Sequence, residues 1–359
     1  MILSKDSKKT DFHTRPGFLK GFRKISWQQR KRLLYVQAWI VVITAYAVVA
    51  FAYFCPQDYR NESPAYVLTS WVAFLFRTFI FHLGLFLLTV LLVALWRRCW
   101  KLLVAGFPVL LIAIGPSLWQ YRPRTAQSID GETITLMSIN LLMINKNTDP
   151  IIGEINAAQP DVLLLQEYTD HWHEAINAAI SSDYPHKVHI IRDDSFGSAI
   201  YSRRPSKGRI ERYVDLGSGS EPQVRAVIDI DGRDVALYNI HFLPPFGVDY
   251  IIETRKQFAD LVERLSREEL PVILAGDFNF TERTPQASDL RKLGAVDAQE
   301  VGGWGRGTTW PVSHFFRWIP SIRLDHIYLT DGLTCSECQT GQGKGSDHRP
   351  VIAKVGFGS

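Results

Sequence analysis

Residues 271–279, PVILAGDFN, run from an apolar stretch straight into a polar end. Short apolar runs of aliphatic residues bounded by Gly and Pro read as strands. A strand hands its side chains to a core, and the residue at its end projects into the rim. Asp277 and Asn279 are therefore the informative positions of this segment. Working outward, the pattern recurs. ITLMSINLL (134–142) ends near Asn140, DVLLLQEY (161–168) at Gln166 and Glu167, and DVALYNIHF (234–242) at His241. RLDHIYLT (323–330) carries Asp325 and His326, and PVIAKVG (350–356) follows Asp347 and His348. SAIYSRRP (198–205) and VRAVIDIDG (224–232) complete the strand set. DPIIGEINAAQ (149–159) and residues 249–269 have helical spacing. Strands joined by turns, with helices between some of them, predict a mixed α/β sandwich with helices outside.

The strand-end residues share a chemistry. Carboxylates and amide oxygens hold a hard divalent cation, while imidazole and amide N–H groups handle a phosphate oxyanion. Taken alone, each has an ordinary reading: Asn at a strand end is a turn former, and an Asp-His pair is a surface feature. The ordered set reads otherwise.

Asn140 in SINLL, Gln166-Glu167 in LLLQEY, NIH at 239–241, GDFN at 276–279, RLDHI at 323–327 and SDH at 346–348 occur in an order that resembles the endonuclease/exonuclease/phosphatase (DNase I-like) superfamily. GTTWP (307–311) is similar to that family too, and the resemblance covers residues 134–356. It implies a four-layered α/β sandwich and hydrolysis of a phosphodiester, phosphomonoester or pyrophosphate with Mg2+ or Mn2+. It also implies roles. Glu167 is the principal metal ligand, Asn140 lies beside it, and Asp347 is a candidate to complete the site. Asp277 orients or deprotonates the attacking water, and Asn279 holds a phosphoryl oxygen. His348 meets the charge developing on phosphorus or shuttles a proton, with Asp325 fixing its tautomer; His241 contacts the phosphate from the opposite side. Phosphoryl transfer offers little covalent work, so catalysis is positioning and charge neutralisation.

Outside that set, Arg225 in VRAVIDI reads either as a phosphate contact or as a surface salt bridge, and His326 as structural. Trp304, Trp310, Phe315, Phe316 and Trp318 crowd residues 302–320. They suit stacking platforms for bases or an apolar lip for acyl or isoprenoid chains. Trp310 is the substrate-contact candidate among them.

The first third is of another kind. Residues 1–124 carry 17 Lys/Arg against 4 Asp/Glu, and residues 125–359 carry 23 against 32. The overall +4 therefore describes neither part. The split excludes a simple cytosolic globule, a disordered chain and a wholly basic nucleic-acid binder. Leu33–Phe54 is 22 residues without a formal charge; Phe79–Trp96 and Leu102–Trp119 are 18 each, the second run with room to begin near Val72. A crossing helix needs about 20 apolar residues for a hydrocarbon layer of roughly 30 Å. Three transmembrane helices within residues 33–121 are predicted. Arg77 is expected to snorkel to the outer face and His82 to pack against a neighbouring helix; Pro108 and Pro116 kink or end the third helix.

Ten Lys/Arg precede residue 33, and Arg97, Arg98 and Lys101 separate the last two runs. Basic loops stay cytoplasmic. The expected organisation is a cytoplasmic N-terminus (1–32), three spans (33–121), a linker (122–130) and an extracytoplasmic or periplasmic catalytic domain (131–359). This architecture resembles bacterial membrane-anchored members of the superfamily in the inner membrane. Cys335 and Cys338, in CSEC, read as a local disulfide or as two thiols in a surface turn. The functional expectation is a metal-dependent phosphoester hydrolase on the outer face, acting on a lipid-linked phosphate or phospholipid. The alternatives are an exported nuclease, which a domain of net −9 without a Lys/Arg-rich run disfavours, and a non-catalytic membrane scaffold.

Overall fold

The apolar runs of the C-terminal two thirds pair into two sheets. The computed structural model describes residues 26–124, 127–207, 210–312 and 318–359. Most of the basic N-terminal segment and residues 313–317 of the aromatic stretch, with Phe315 and Phe316, lie outside the described residues. One sheet is built from β1 (Ile134–Asn140), β2 (Val162–Gln166), β3 (His186–Ile190), β4 (Ser198–Ser202), β11 (Leu333–Thr340) and β12 (Val351–Phe357), in the order β11-β12-β1-β2-β4-β3. The other holds β5 (Glu211–Val214), β6 (Gln223–Ile230), β7 (Arg233–His241), β8 (Val272–Asp277), β9 (Val296–Asp297) and β10 (Asp325–Leu329), in the order β5-β6-β7-β8-β10-β9.

Side-chain alternation sorts these strands into layers, because successive residues face opposite sides of a sheet. Ile134, Leu136, Val162, Leu164, Leu237, Ile273, Ile327 and Val355 meet between the sheets. Met137, Ile139, Leu163 and Leu165 face outward onto α5 (Asp149–Ala158) and α6 (Asp170–Ile180) through Ile151, Ile155, Trp172 and Ile176. Tyr238, Ile240 and Leu274 face α7 (Val248–Leu265) and α8 (Pro285–Lys292) through Phe258, Leu261, Ala287 and Leu290. The expected sandwich is present. The same alternation decides the site: Asn140, Gln166, His241, Asp277 and Asp325 share parity with the inward residues of their strands, so all five point between the sheets at one rim.

In the N-terminal third, α1 (Trp27–Phe54) and α4 (Trp100–Trp119) are each long and apolar enough to cross a membrane. The middle run departs from expectation. It forms two helices, α2 (Pro64–Thr78) and α3 (Ile80–Trp96), bent by 60° at Phe79; the pair passes the same test only if taken as one span. Gly84 explains the closeness of α3 and α4, since a Cβ there would lie 2.5 Å from Ile114 Cγ1. Pro108 and Pro116 lie inside α4.

This third also grips the sandwich. Arg60 pairs with Asp260 and Glu263 at 2.8 and 3.0 Å, and Tyr59 lies edge-on to Phe258 with ring centroids 4.9 Å apart, its hydroxyl donating to Asp289 at 2.7 Å. Trp71 Nε1 donates to the Pro245 carbonyl at 2.9 Å. His82 makes a polar contact that was not expected: its Nε2 lies 2.6 Å from the Pro320 carbonyl, which reaches across from the sandwich. Arg77 likewise donates from Nε to the Arg283 carbonyl at 2.5 Å rather than only snorkelling. Cys335 and Cys338 are buried, unpaired thiols in β11, a strand where a turn was expected.

Candidate active site

The rim residues converge. Asn140, last in β1, donates from Nδ2 to Glu167 Oε1 at 3.0 Å and to Asp277 Oδ2 at 3.1 Å. Its Oδ1 accepts the Leu142 N–H at 3.0 Å. Glu167 follows β2 with φ +56°, a left-handed conformation that turns the carboxylate off the strand line into the cavity. Its Oε2 accepts the Met143 N–H at 2.6 Å, and burial pushes its pKa up.

GDFN is explained residue by residue. A Cβ at Gly276 would sit 1.8 Å from the Ile240 carbonyl oxygen, so only glycine lets β8 lie this close to β7. Asp277 ends the strand, and its Oδ1 accepts the Asn279 N–H at 3.0 Å. Asn279 has φ +50° and donates from Nδ2 to the Phe242 carbonyl at 2.8 Å. Burial raises the Asp277 carboxyl. Two imidazoles face it: His241 Nε2 at 3.6 Å and His348 Nε2 at 3.7 Å.

The two histidines are shifted in opposite directions. Burial holds His241 below the ordinary imidazole value. Burial opposes charge on His348 as well, but the Asp325 and Asp277 carboxylates outweigh it and raise His348 to about 10. Asp325 Oδ2 accepts from His348 Nδ1 at 2.8 Å, while Asp325 Oδ1 is buried without a hydrogen-bond partner. One ligand atom each from Asp277, Asp325 and His348 lie within 4.8 Å of one another, a spacing that suits a cation when His348 is deprotonated, while the protonated imidazolium itself supplies positive charge there. Asp347 stands beside this group with its Oδ2 accepting the Trp310 indole N–H at 3.0 Å.

A cavity of about 510 Å³ opens over this cluster, and Trp310 lines it. Sequence reasoning missed several of its walls. Met143, Ser195, Phe196 and Tyr250 come from loops and α7. Phe74, Leu75, Thr78 and Phe79 come from the α2–α3 bend, 60 or more positions upstream of the first strand-end residue. No pattern in residues 64–96 signals that contact, because the apolar composition a span requires already accounts for it.

Of the two readings of Arg225, the salt bridge is the one found. Val224 and Ala226 face inward, so Arg225 faces outward, where Glu268 takes its Nε at 2.8 Å and Glu211 lies 3.7 Å from Nη1. It is a salt bridge on the far face and does not line the cavity. His326 is structural, as expected. It is buried, with Nδ1 2.8 Å from Asp297 Oδ2 and Nε2 3.0 Å from the Phe280 carbonyl.

A family model described as the Endonuclease/Exonuclease/phosphatase family matches residues 137–348. The chain belongs to this family. The resemblance read from QE, GDFN, RLDHI and SDH holds at the family level. Among solved structures, an endonuclease/exonuclease/phosphatase from Beutenbergia cavernae is 16% identical with a TM-score of 0.51, over 64% of this chain and 72% of that one. D. rerio TDP2, complexed with single strand DNA product, is 17% identical with a TM-score of 0.51, over 63% of this chain and 100% of that one. These likenesses are of fold. A UPF0294 protein of Vibrio campbellii is 26% identical over 125 residues, 34% of this chain; the chain spans 40% of that relative's length.

Proposed function

We propose that this family member is a membrane-anchored, divalent-metal-dependent phosphoester hydrolase, acting from the outer side on a lipid-linked phosphate or phospholipid. One observation carries the reading. The cavity lined by the polar cluster is also lined by Phe74, Leu75 and Phe79 of the α2–α3 bend. A substrate phosphate at Asp277 and His348 therefore has an apolar surface of the anchor alongside it, suited to an acyl or polyprenyl chain. Anchoring also raises the effective concentration of a membrane substrate.

A hard divalent ion, Mg2+ or Mn2+, fits the donor set. Glu167 and Asp277 are carboxylates that burial pushes up, and Asp325 Oδ1 lacks a partner. Glu167 and Asn140 would hold the ion, with Asp347 alongside. When bound it would neutralise charge on the phosphoryl oxygens. The chain's own residues do the rest. Asp277, its basicity raised by burial, takes the proton of the attacking water. Cationic His348 faces the charge developing on phosphorus as the P–O ester bond breaks, and Asp325 keeps its Nδ1 protonated. Neutral His241 donates to the phosphate from the other side, and the second amide N–H of Asn279 holds a phosphoryl oxygen. Trp310 lines the entrance.

Orientation follows from charge. Basic residues before α1 and between α3 and α4 favour a cytoplasmic N-terminus. Three crossings (α1, the bent pair and α4) then leave residues 131–359 outside, following the linker at 122–130.

The test uses the full chain in mixed micelles with Mg2+, assayed in parallel on a phospholipid, a polyprenyl pyrophosphate and a DNA oligonucleotide. Preferential hydrolysis of a lipid phosphate, abolished by Glu167→Ala, is the expected result. Selective cleavage of the DNA overturns the lipid reading in favour of a nuclease.

A further inference from the structure

Arg77 stands next to the bend but faces away from the catalytic cavity. It lines a second cavity of about 430 Å³, whereas Thr78 and Phe79 line the first. Three more guanidiniums without an acidic partner enter that second cavity, Arg122 and Arg124, just beyond α4, and Arg283 from the loop between β8 and α8; the Arg291–Glu300 ion pair and Glu282 share its lining.

These four cations are paired only with neutral acceptors. Arg77 donates to the Arg283 carbonyl, Arg122 to the Trp119 carbonyl at 3.0 Å, and Arg124 to the Gln299 carbonyl. Arg283 donates to the Tyr53 hydroxyl at 2.6 Å and to the Ile112 carbonyl at 3.1 Å. Arg124 Nε is buried without a hydrogen-bond partner. The two carboxylates in the lining have other partners, Glu300 pairing with Arg291 at 3.0 Å and Glu282 lying 3.8 Å from Arg323, and Asp289 near it pairs with Lys292 at 2.7 Å. Among the described residues, none of the four arginines makes an ion pair.

Five arginines against two carboxylates leave this void with a cationic excess, and an anion placed among the four arginines that lack an acidic partner offsets their mutual repulsion. Guanidinium forks match phosphate oxygens in particular. The cavity's height is marked by Tyr53, in the last turn of α1, and Trp119, the last residue of α4, which is exposed and lies under Arg122. Aromatic residues at span ends sit at headgroup level.

We propose that this arginine cavity is a binding site, separate from the catalytic one, for a negatively charged phosphate group, presented by an anionic lipid headgroup or in solution. The inference stands on the arginines alone and survives if the catalytic substrate proves to be DNA.

The full-length His348→Ala protein, in neutral detergent with chelator, is titrated calorimetrically with short-chain phosphatidylglycerol, short-chain phosphatidylcholine and inorganic phosphate. Phosphatidylglycerol is expected to bind, less tightly as salt rises. Arg122→Gln with Arg124→Gln weakens it by about tenfold or more. Arg283→Gln, on a different wall, weakens it independently, and Arg124→Lys retains binding. Arginine-dependent binding of inorganic phosphate without the lipid also supports the site and names its source as solution. Equal binding of the two lipids, or Gln variants that bind as tightly as the parent, overturns the proposal. If the double variant does not fold, Arg283→Gln and the salt dependence decide.

Discussion

Two buried Asp–His pairs of the same length lie in this molecule, and they have opposite consequences. Asp325 and His348 meet at 2.8 Å, as do Asp297 and His326. The strand β10 contributes one member to each, because adjacent residues on a strand face opposite sides. Asp325 points between the sheets toward the cavity. His326 points outward, with its ring stacked on Tyr328 at 5.2 Å and its second nitrogen on the Phe280 carbonyl. Only His348 keeps a nitrogen directed at the cavity, 3.7 Å from Asp277. Hydrogen bonding to aspartate thus makes neither histidine a catalyst; what matters is the free nitrogen and where it looks.

Substitution separates the pairs. Asp297 is buried against Arg323, itself 2% exposed, at 3.4 Å. Asp297→Asn leaves that guanidinium undercompensated and should cost about 3–5 kcal/mol of stability. A chemical denaturation of the full chain in detergent reads this; an unchanged midpoint would mean the second pair is not structural. His348→Ala should act on turnover in the folded protein. Losing one charged donor at phosphorus costs about 2.7–4 kcal/mol of barrier, or about 10²–10³-fold in kcat, beyond any loss of stability from leaving Asp325 unpaired. Near-parental turnover breaks the contrast at its catalytic end.

Acidity sharpens the comparison most subtly. In the metal-free protein, His348 is raised from 6.5 to about 10. Its contribution to stability is complete below pH 6.5 and fades as pH climbs toward 10. Burial alone would raise Asp297, but Arg323 and His326 overcome it and hold it below its ordinary 3.8. That contribution is present above pH 3.8 and fades on acidification. Thermal melts with chelator should therefore show two losses: an alkaline one flattened by Asp325→Asn and an acid one flattened by Asp297→Asn. A single loss common to both variants would merge the two pairs into one network.

Strand parity made much of this legible in advance. Where a run was apolar and central, as in β1, β2, β7 and β8, the polar terminal residue could be read as a rim group, and the rim proved to be one place. The missed elements were short, polar or at sheet edges. HKVHI of β3 and ERYV of β5 lack an apolar run, and β11 hides behind a bulge between Cys335 and Glu337. Arg225 stayed open between two readings because a lone arginine in a strand shows its type but not its face; the parity of Val224 and Ala226 settles that. Arg323 escaped notice because its three carboxylate neighbours, Glu282, Asp297 and Glu300, are dispersed along the chain. The cavity wall from the α2–α3 bend was illegible because side chains suited to lipid and to a pocket lining are the same.

The loop after α1 acts as a latch on the sandwich. Cutting the polypeptide near residue 122 would strip Tyr59 from Phe258 and remove the cation shared by Asp260 and Glu263. A greasy spot and a small acidic one would surface together on α7. The sandwich and the helical third are thus a single solubility unit, and a shortened version should be sticky where the whole is not.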